Sequence, residues 1–118
     1  MAQKLDWIYF RKGCNTCKKA QAFLAGLGWE LGEHVINATK ERIDGPSALV
    51  LAKKHQRLVS IKGKLVNDID LRKPVVSDDE ILHLIMGPTG NLRAPTFRHG
   101  KTLVVGYHEA AYKDVLEA

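Results

Sequence analysis

An apolar run that passes through a charged turn straight into an amphipathic helix, with two cysteines at the join, constrains this chain more than any other feature. Residues 5–10, LDWIYF, are apolar or aromatic apart from Asp6 and read as a buried strand that stops at Arg11-Lys12-Gly13. In the following CNTCKKAQAFLAGLG, Cys17, Ala20, Phe23, Leu24 and Leu27 recur at the three- and four-residue intervals of one helical face. Lys18, Lys19 and Gln21 face away, and Gly28 supplies a stop. A strand feeding a helix in this way points to an α/β domain.

The rest of the chain extends that unit. Trp29, Leu31, His34, Val35 and Ile36 permit a second strand within residues 29–37. A second helix is expected to start around Asp44-Gly45-Pro46-Ser47, because proline is tolerated in a first turn where its missing N–H costs nothing, and to run through ALVLAKKH. Residues 58–76 allow two readings: a pair of short strands around Lys62-Gly63-Lys64, or a helical turn inside a longer insertion. Ser77-Asp78-Asp79-Glu80 offers an N-cap with an acidic first turn, followed by the apolar face Ile81, Leu82, Ile85 and Met86, and Gly87-Pro88 ends that helix. Residues 93–97 and 102–106 form a hairpin around Arg98-His99-Gly100-Lys101. A closing helix carries Ala111, Val115 and Leu116. The expected architecture is one domain over residues 1–118, with a mixed four-stranded sheet flanked by helices.

Composition narrows the class. Apolar residues make up 45% of the 118 residues and charged residues 26%, the balance of a chain that folds. No apolar stretch nears the roughly 18 residues of a membrane span. The start MAQKLDWIYF lacks the stages of a signal peptide, so the expected compartment is the cytoplasm, with no membrane partner. The net charge of +5 is enough to attract anions and small enough to be a solubility feature alone. It does not mark a nucleic-acid binder: the basic residues are spread along the chain, with no aromatic-interleaved stripe and no helix-turn-helix or zinc-finger spacing. Direct nucleic-acid binding is therefore not expected.

Cys14 and Cys17, the two cysteines, would close almost no loop as a disulfide and so read as chemistry before architecture. A thiolate is the reactive form, and its pKa falls at a helix N-terminus, near cations, or in a C-x-x-C pair. All three conditions are written here, with Arg11, Lys12, Lys18 and Lys19 as the cations. Cys17, one turn later and on the apolar face, is the more sheltered. Cys14 can then attack an electrophile or a disulfide, and Cys17 resolve the intermediate; the reverse order satisfies the same spacing. Two half-buried thiols at a helix start would have this sequence too. A metal site is not expected, because a structural zinc wants four ligands and the five histidines form no second close pair. Pro95, in Ala94-Pro95-Thr96, is unusual at the start of a hairpin strand and suits either a cis bond or a plain edge proline.

Taken together, FRKGCNTCKKAQAFLAGLG, VSDDEILHLIMGPTGNLRAPT and GKTLVVGYHEAAYKDVL resemble the arsenate reductase (ArsC) and Spx family, over essentially the whole chain and in the right order. The resemblance implies a thioredoxin-like fold with a helical insertion. It makes residues 58–76 mostly helical, and Pro95 a cis-proline facing the active cysteine. It also implies catalytic Cys14 and Cys17, with Asn15, Thr16, Arg93 and Pro95 as the substrate-binding set. The pattern departs from the reductases where they place an arginine immediately before the proline, since Ala94 stands there and Arg93 lies one residue earlier. Lys62 and Val104-Val105-Gly106-Tyr107 stand near the places of two further arginines.

Two functional readings follow from that resemblance. One is a thiol-dependent oxidoreductase acting on a small oxyanion or disulfide, with no bound cofactor and with glutathione or a thioredoxin-type protein as electron donor. The other is an Spx-like regulator whose dithiol switches its binding to RNA polymerase, to which Lys53, Lys54, His55 and Arg57 would offer a basic surface. His108, opening the last helix, reads most simply as a polar cap.

Overall fold

The computed structural model describes residues 3–5, 7–11, 15–30, 35–37, 41–72, 77–87 and 90–116. In chain order the elements are β1 (Gln3–Lys4), β2 (Trp7–Phe10), α1 (Asn15–Gly26), β3 (Trp29–Glu30), β4 (Val35–Asn37), α2 (Gly45–Lys53), β5 (Arg57–Lys62), β6 (Leu65–Asp70), α3 (Asp78–Ile85), β7 (Thr96–His99), β8 (Thr102–Val105) and α4 (Glu109–Leu116). The first predicted strand, residues 5–10, is observed as β2, with the short β1 before it, and the second is divided into β3 and β4. Strand β1 pairs parallel to β3, and β2 parallel to β4.

The main sheet runs β4-β2-β7-β8-β5-β6 and has six strands, not the expected four. The difference lies in residues 57–70, which form an antiparallel hairpin and not the helical insertion that the family resemblance implied. The physical reason is local. Leu58, Val59, Ser60 and Ile61 are all buried, so β5 is an interior strand covered on both faces, and its continuous buried run has no helical period. Gly63, with φ of 59°, and Lys64 then make a two-residue turn whose flanking pair is Lys62 and Leu65. A glycine with positive φ at the first central position, followed by a residue of negative φ, is the type II′ turn that matches strand twist. Gly100-Lys101 repeats the device between β7 and β8, with φ of 60° at Gly100 and His99 paired to Thr102.

Alternation along the central strands builds one core on each face of the sheet. Ile8, Phe10, Val59, Ile61, Phe97 and Val104 pack with Cys17, Ala20 and Leu24 of α1 and with Tyr112, Val115 and Leu116 of α4. Tyr9, Leu58, Leu103 and Val105 face the other way, against Ala48 and Ala52 of α2 and Ile81 and Ile85 of α3. The helices start where their caps predict. The Asp44 carboxylate accepts the Ser47 N–H at 2.9 Å, with Pro46 in the first turn, and the Ser77 hydroxyl accepts the Glu80 N–H at 3.2 Å. The sheet's far edge is clamped by Arg57, which makes a bidentate pair with Asp68 of β6 (2.9 and 2.6 Å) and reaches Asp114 of α4 at 2.9 Å. Among the described residues no helix is long and apolar enough to cross a membrane.

His55, just beyond α2, is buried and donates from Nδ1 to the Leu51 carbonyl at 2.8 Å. Burial holds its pKa below the ordinary value of 6.5, the Leu51 hydrogen bond opposes that shift, and the nearby charges of Arg98 and Lys54 add to it. A histidine buried neutral takes up a proton more readily once unfolded, so its contribution to stability is present above about pH 6.5 and is lost as the pH falls below that value. Urea titrations at pH 7.5 and pH 5.5 are expected to show a smaller acid-induced loss for His55→Gln than for the wild type. An equal loss in both chains would remove His55 as the cause.

Candidate functional site

The site predicted from sequence lies where β2 hands the chain to α1. Lys12, Gly13 and Cys14 fall outside the described residues, and α1 begins at Asn15. Asn15 and Thr16 occupy its first two positions and are exposed, as are Arg11, Lys18 and Lys19. Cys17 is different in kind. It is 1% exposed and belongs to the apolar cluster between the sheet and the α1/α4 layer. Its Sγ accepts the backbone N–H of Arg11 at 3.5 Å. The helical spacing that placed Cys17 on the buried face is therefore matched by its position.

The segment before β7 forms the second part. The Ala94–Pro95 peptide is cis, Pro95 is buried, and its carbonyl accepts the Gly106 N–H at 2.8 Å. Thr96, fully buried, donates its hydroxyl to the Arg93 carbonyl at 2.6 Å and so pins the bend. Ala94 is partly buried against both cores. Arg93 is half-buried, and its guanidinium donates to the carbonyls of Ile61 at 2.6 Å and Leu84 at 3.4 Å; burial draws its pKa below the ordinary arginine value. The Leu84 carbonyl also accepts the Ser60 hydroxyl at 2.7 Å, and Lys62 Nζ donates to the His83 carbonyl at 3.1 Å. Arg93, Lys62 and Ser60 together satisfy the C-terminal end of α3, where cations are favourable. The predicted set is thus split: Cys17 is buried in the apolar cluster, Asn15 and Thr16 sit at the surface of the same helix start, Pro95 is buried at the cis bend before β7, and Arg93 is tied to backbone carbonyls of β5 and α3.

An aromatic group beside Cys17 escaped the sequence reading. Tyr112 is fully buried at the centre of Phe23, Phe97 and Tyr107, with ring centroids at 6.2, 4.9 and 5.4 Å, and its hydroxyl donates to the Gly106 carbonyl. Burial pushes the Tyr112 pKa well up, with the neighbouring Cys17 and Tyr107 adding to the shift. Tyr107 donates its hydroxyl to Glu109 at 3.2 Å. The recurrence of Tyr112, Val115 and Leu116 on one face of the last helix was the available signal. His108 caps that helix as expected, with Nδ1 accepting the Ala111 N–H at 3.2 Å, an arrangement that puts the ring proton on Nε2.

A mixed sheet between two helical layers, with a buried thiol in the first turn of α1 and a cis-proline ahead of the strand antiparallel to β2, defines a thioredoxin-like α/β protein. The chain belongs to the ArsC family, whose model matches residues 9–115. Among solved structures it is similar to that of a YffB protein, at 19% identity and a TM-score of 0.53, over 92% of this chain and 96% of that one. No curated protein sequence matches it.

Proposed function

We propose that this ArsC-family chain is a thiol-dependent oxidoreductase that reduces small disulfides. The observation that carries the reading is the burial of Cys17 in the first turn of α1, three residues after Cys14. A sheltered thiol accepting a backbone N–H suits a resolving group and leaves the first attack to Cys14. In the first step the Cys14 thiolate attacks one sulfur of the substrate, the substrate S–S bond breaks, and one thiolate leaves. Next the Cys17 thiolate attacks the Cys14 sulfur, expelling the second substrate thiolate and leaving a Cys14–Cys17 disulfide. Two electrons have then passed from the protein to the substrate. Two equivalents of glutathione, or one dithiol of a thioredoxin-type protein, return them.

A disulfide is preferred to arsenate because an oxyanion needs several fixed donors. Ala94 supplies no side-chain donor, and the Arg93 guanidinium is directed at the Ile61 and Leu84 carbonyls. Asn15 and Thr16 are exposed polar groups at the helix start, beside the exposed cations Arg11, Lys18 and Lys19.

Mass spectrometry of the thiols after separate treatment with oxidised glutathione, arsenate and peroxide tests this in the wild type, Cys14→Ser and Cys17→Ser. Oxidised glutathione is expected to give the internal disulfide in the wild type, a persistent glutathione adduct in Cys17→Ser and no adduct in Cys14→Ser. Full turnover by Cys14→Ser would sink the mechanism. An arsenate-dependent disulfide would move the substrate to the oxyanion class, and a disulfide formed by peroxide alone would favour the polymerase-binding switch.

A further inference from the structure

We infer that β6 is a self-association edge through which two copies of this chain join their sheets antiparallel about a two-fold axis at Asn67. Among the described residues, strand β6 is the last in the six-stranded sheet and is bonded to β5 on one side only. Among the described residues, two of the four exposed large apolar side chains lie on it: Leu65 at 63% and Val66 at 37% exposure. An edge of this kind carries a row of backbone donors and acceptors that pairs readily with another strand.

The backbone parity limits how a second copy can dock. In a hairpin with a two-residue loop, the pair flanking the turn is hydrogen-bonded, and alternate residues then point to and away from the partner. Leu65, Asn67 and Ile69 therefore direct their peptide groups at β5. The Leu71 N–H, which donates to the Gln56 carbonyl at 2.8 Å, continues that series. Val66, Asp68 and Asp70 point outward. A regular antiparallel pairing of two β6 strands must match outward residues with outward residues, so a slip by a single residue is excluded.

Side chains choose among the registers that remain. With the axis at Asn67, Lys64 lies opposite Asp70, Leu65 opposite Ile69, and Val66 opposite Asp68, each pair occurring twice. With the axis at Asp68, two aspartates meet directly and Lys64 faces Arg72, both repulsive. With the axis at Val66, the pairing slides onto the Gly63-Lys64 turn and loses half of the strand. The Asn67 register joins opposite charges at Lys64 and Asp70 and apolar side chains at Leu65 and Ile69, and it opposes no like charges. The internal clamps prepare the edge for it: Asp68 is already neutralised by Arg57, and Asp70 is paired with Arg72 at 3.0 Å, where Lys64 of a second copy would add a further cation.

Sedimentation velocity over a concentration series of the full chain tests the inference, with a reversible monomer–dimer equilibrium as the expected result. Lys64→Asp and Asp70→Lys should each weaken the dimer about tenfold, because an attraction becomes a repulsion at two symmetric places, and the double variant should recover it. A cysteine scan in a Cys14→Ser background reads the register. Opposed residues in a non-hydrogen-bonded pair sit about 4.5 Å apart at Cα, within disulfide reach. Asn67→Cys should therefore cross-link two copies under mild oxidation faster than Val66→Cys or Asp68→Cys. A monomer at the highest soluble concentration, a dimer indifferent to both charge reversals, or cross-linking that favours position 66 or 68 would overturn it.

Discussion

Gly106→Ala is expected to cost about 3 kcal/mol or more, a large part of the stability of a domain this size. Two independent penalties combine. Gly106 has φ of 103°, a region that residues with a Cβ rarely enter, which by itself costs on the order of 1–2 kcal/mol. An added Cβ would also lie 2.6 Å from the Ile61 carbonyl oxygen and 3.0 Å from the Ile61 Cβ. That carbonyl cannot swing aside cheaply, since it belongs to β5 and accepts the Arg93 guanidinium. Relief would have to come from β8 drawing away from β5, at the point where Gly106 also donates to Pro95 and accepts from Tyr112. Gly26→Ala is the control: its Cβ meets nothing within 4 Å, and the change should be neutral or stabilising by up to about 1 kcal/mol. Urea unfolding of the two variants checks both, and a Gly106→Ala chain within about 1 kcal/mol of wild type would show that the β8–β5 approach is looser than described.

Tyr112→Ala is the second large effect, about 3–5 kcal/mol, because it empties a fully buried aromatic position that three other rings pack against. Tyr112→Phe keeps the ring and removes only the hydroxyl, leaving the Gly106 carbonyl without that donor, at about 1–2 kcal/mol. The pair separates packing from hydrogen bonding. It also carries a chemical readout, since Tyr112 adjoins Cys17: alkylation of Cys17 in the folded protein should be faster in Tyr112→Ala than in Tyr112→Phe. Equal alkylation in the two variants would mean that Cys17 is sheltered by α1 and the sheet alone.

The parts of the fold that were legible in the sequence are those that helical periodicity or turn chemistry marks. Helix α1 could be read from Cys17, Ala20, Phe23, Leu24 and Leu27, and the second hairpin from its Gly100-Lys101 loop, because periodicity and turn chemistry agreed there. The hairpin of β5 and β6 was only half visible. Leu58 to Ile61 are all buried, and a fully buried run carries no period to distinguish a strand from a helix. The Lys62-Gly63-Lys64 turn signalled the strands, but the family resemblance favoured a helix, and the local signal was the correct one. Within the site, the burial of Cys17 followed from helical spacing. The partners of Arg93 did not, because Ile61 and Leu84 lie 32 and 9 residues away in sequence and only the tertiary fold brings their carbonyls to it.

The strand order β4-β2-β7-β8-β5-β6 also governs when the molecule can be completed during synthesis. Strands β2 and β4 emerge first and can pair, and β5 and β6 can close as a local hairpin soon after. Neither pair touches the other in the finished sheet. The strands that join them, β7 and β8, are made last and enter between the two as a wedge. Until β8 has been made, the two strand pairs cannot be joined, and a single late hairpin completes the sheet.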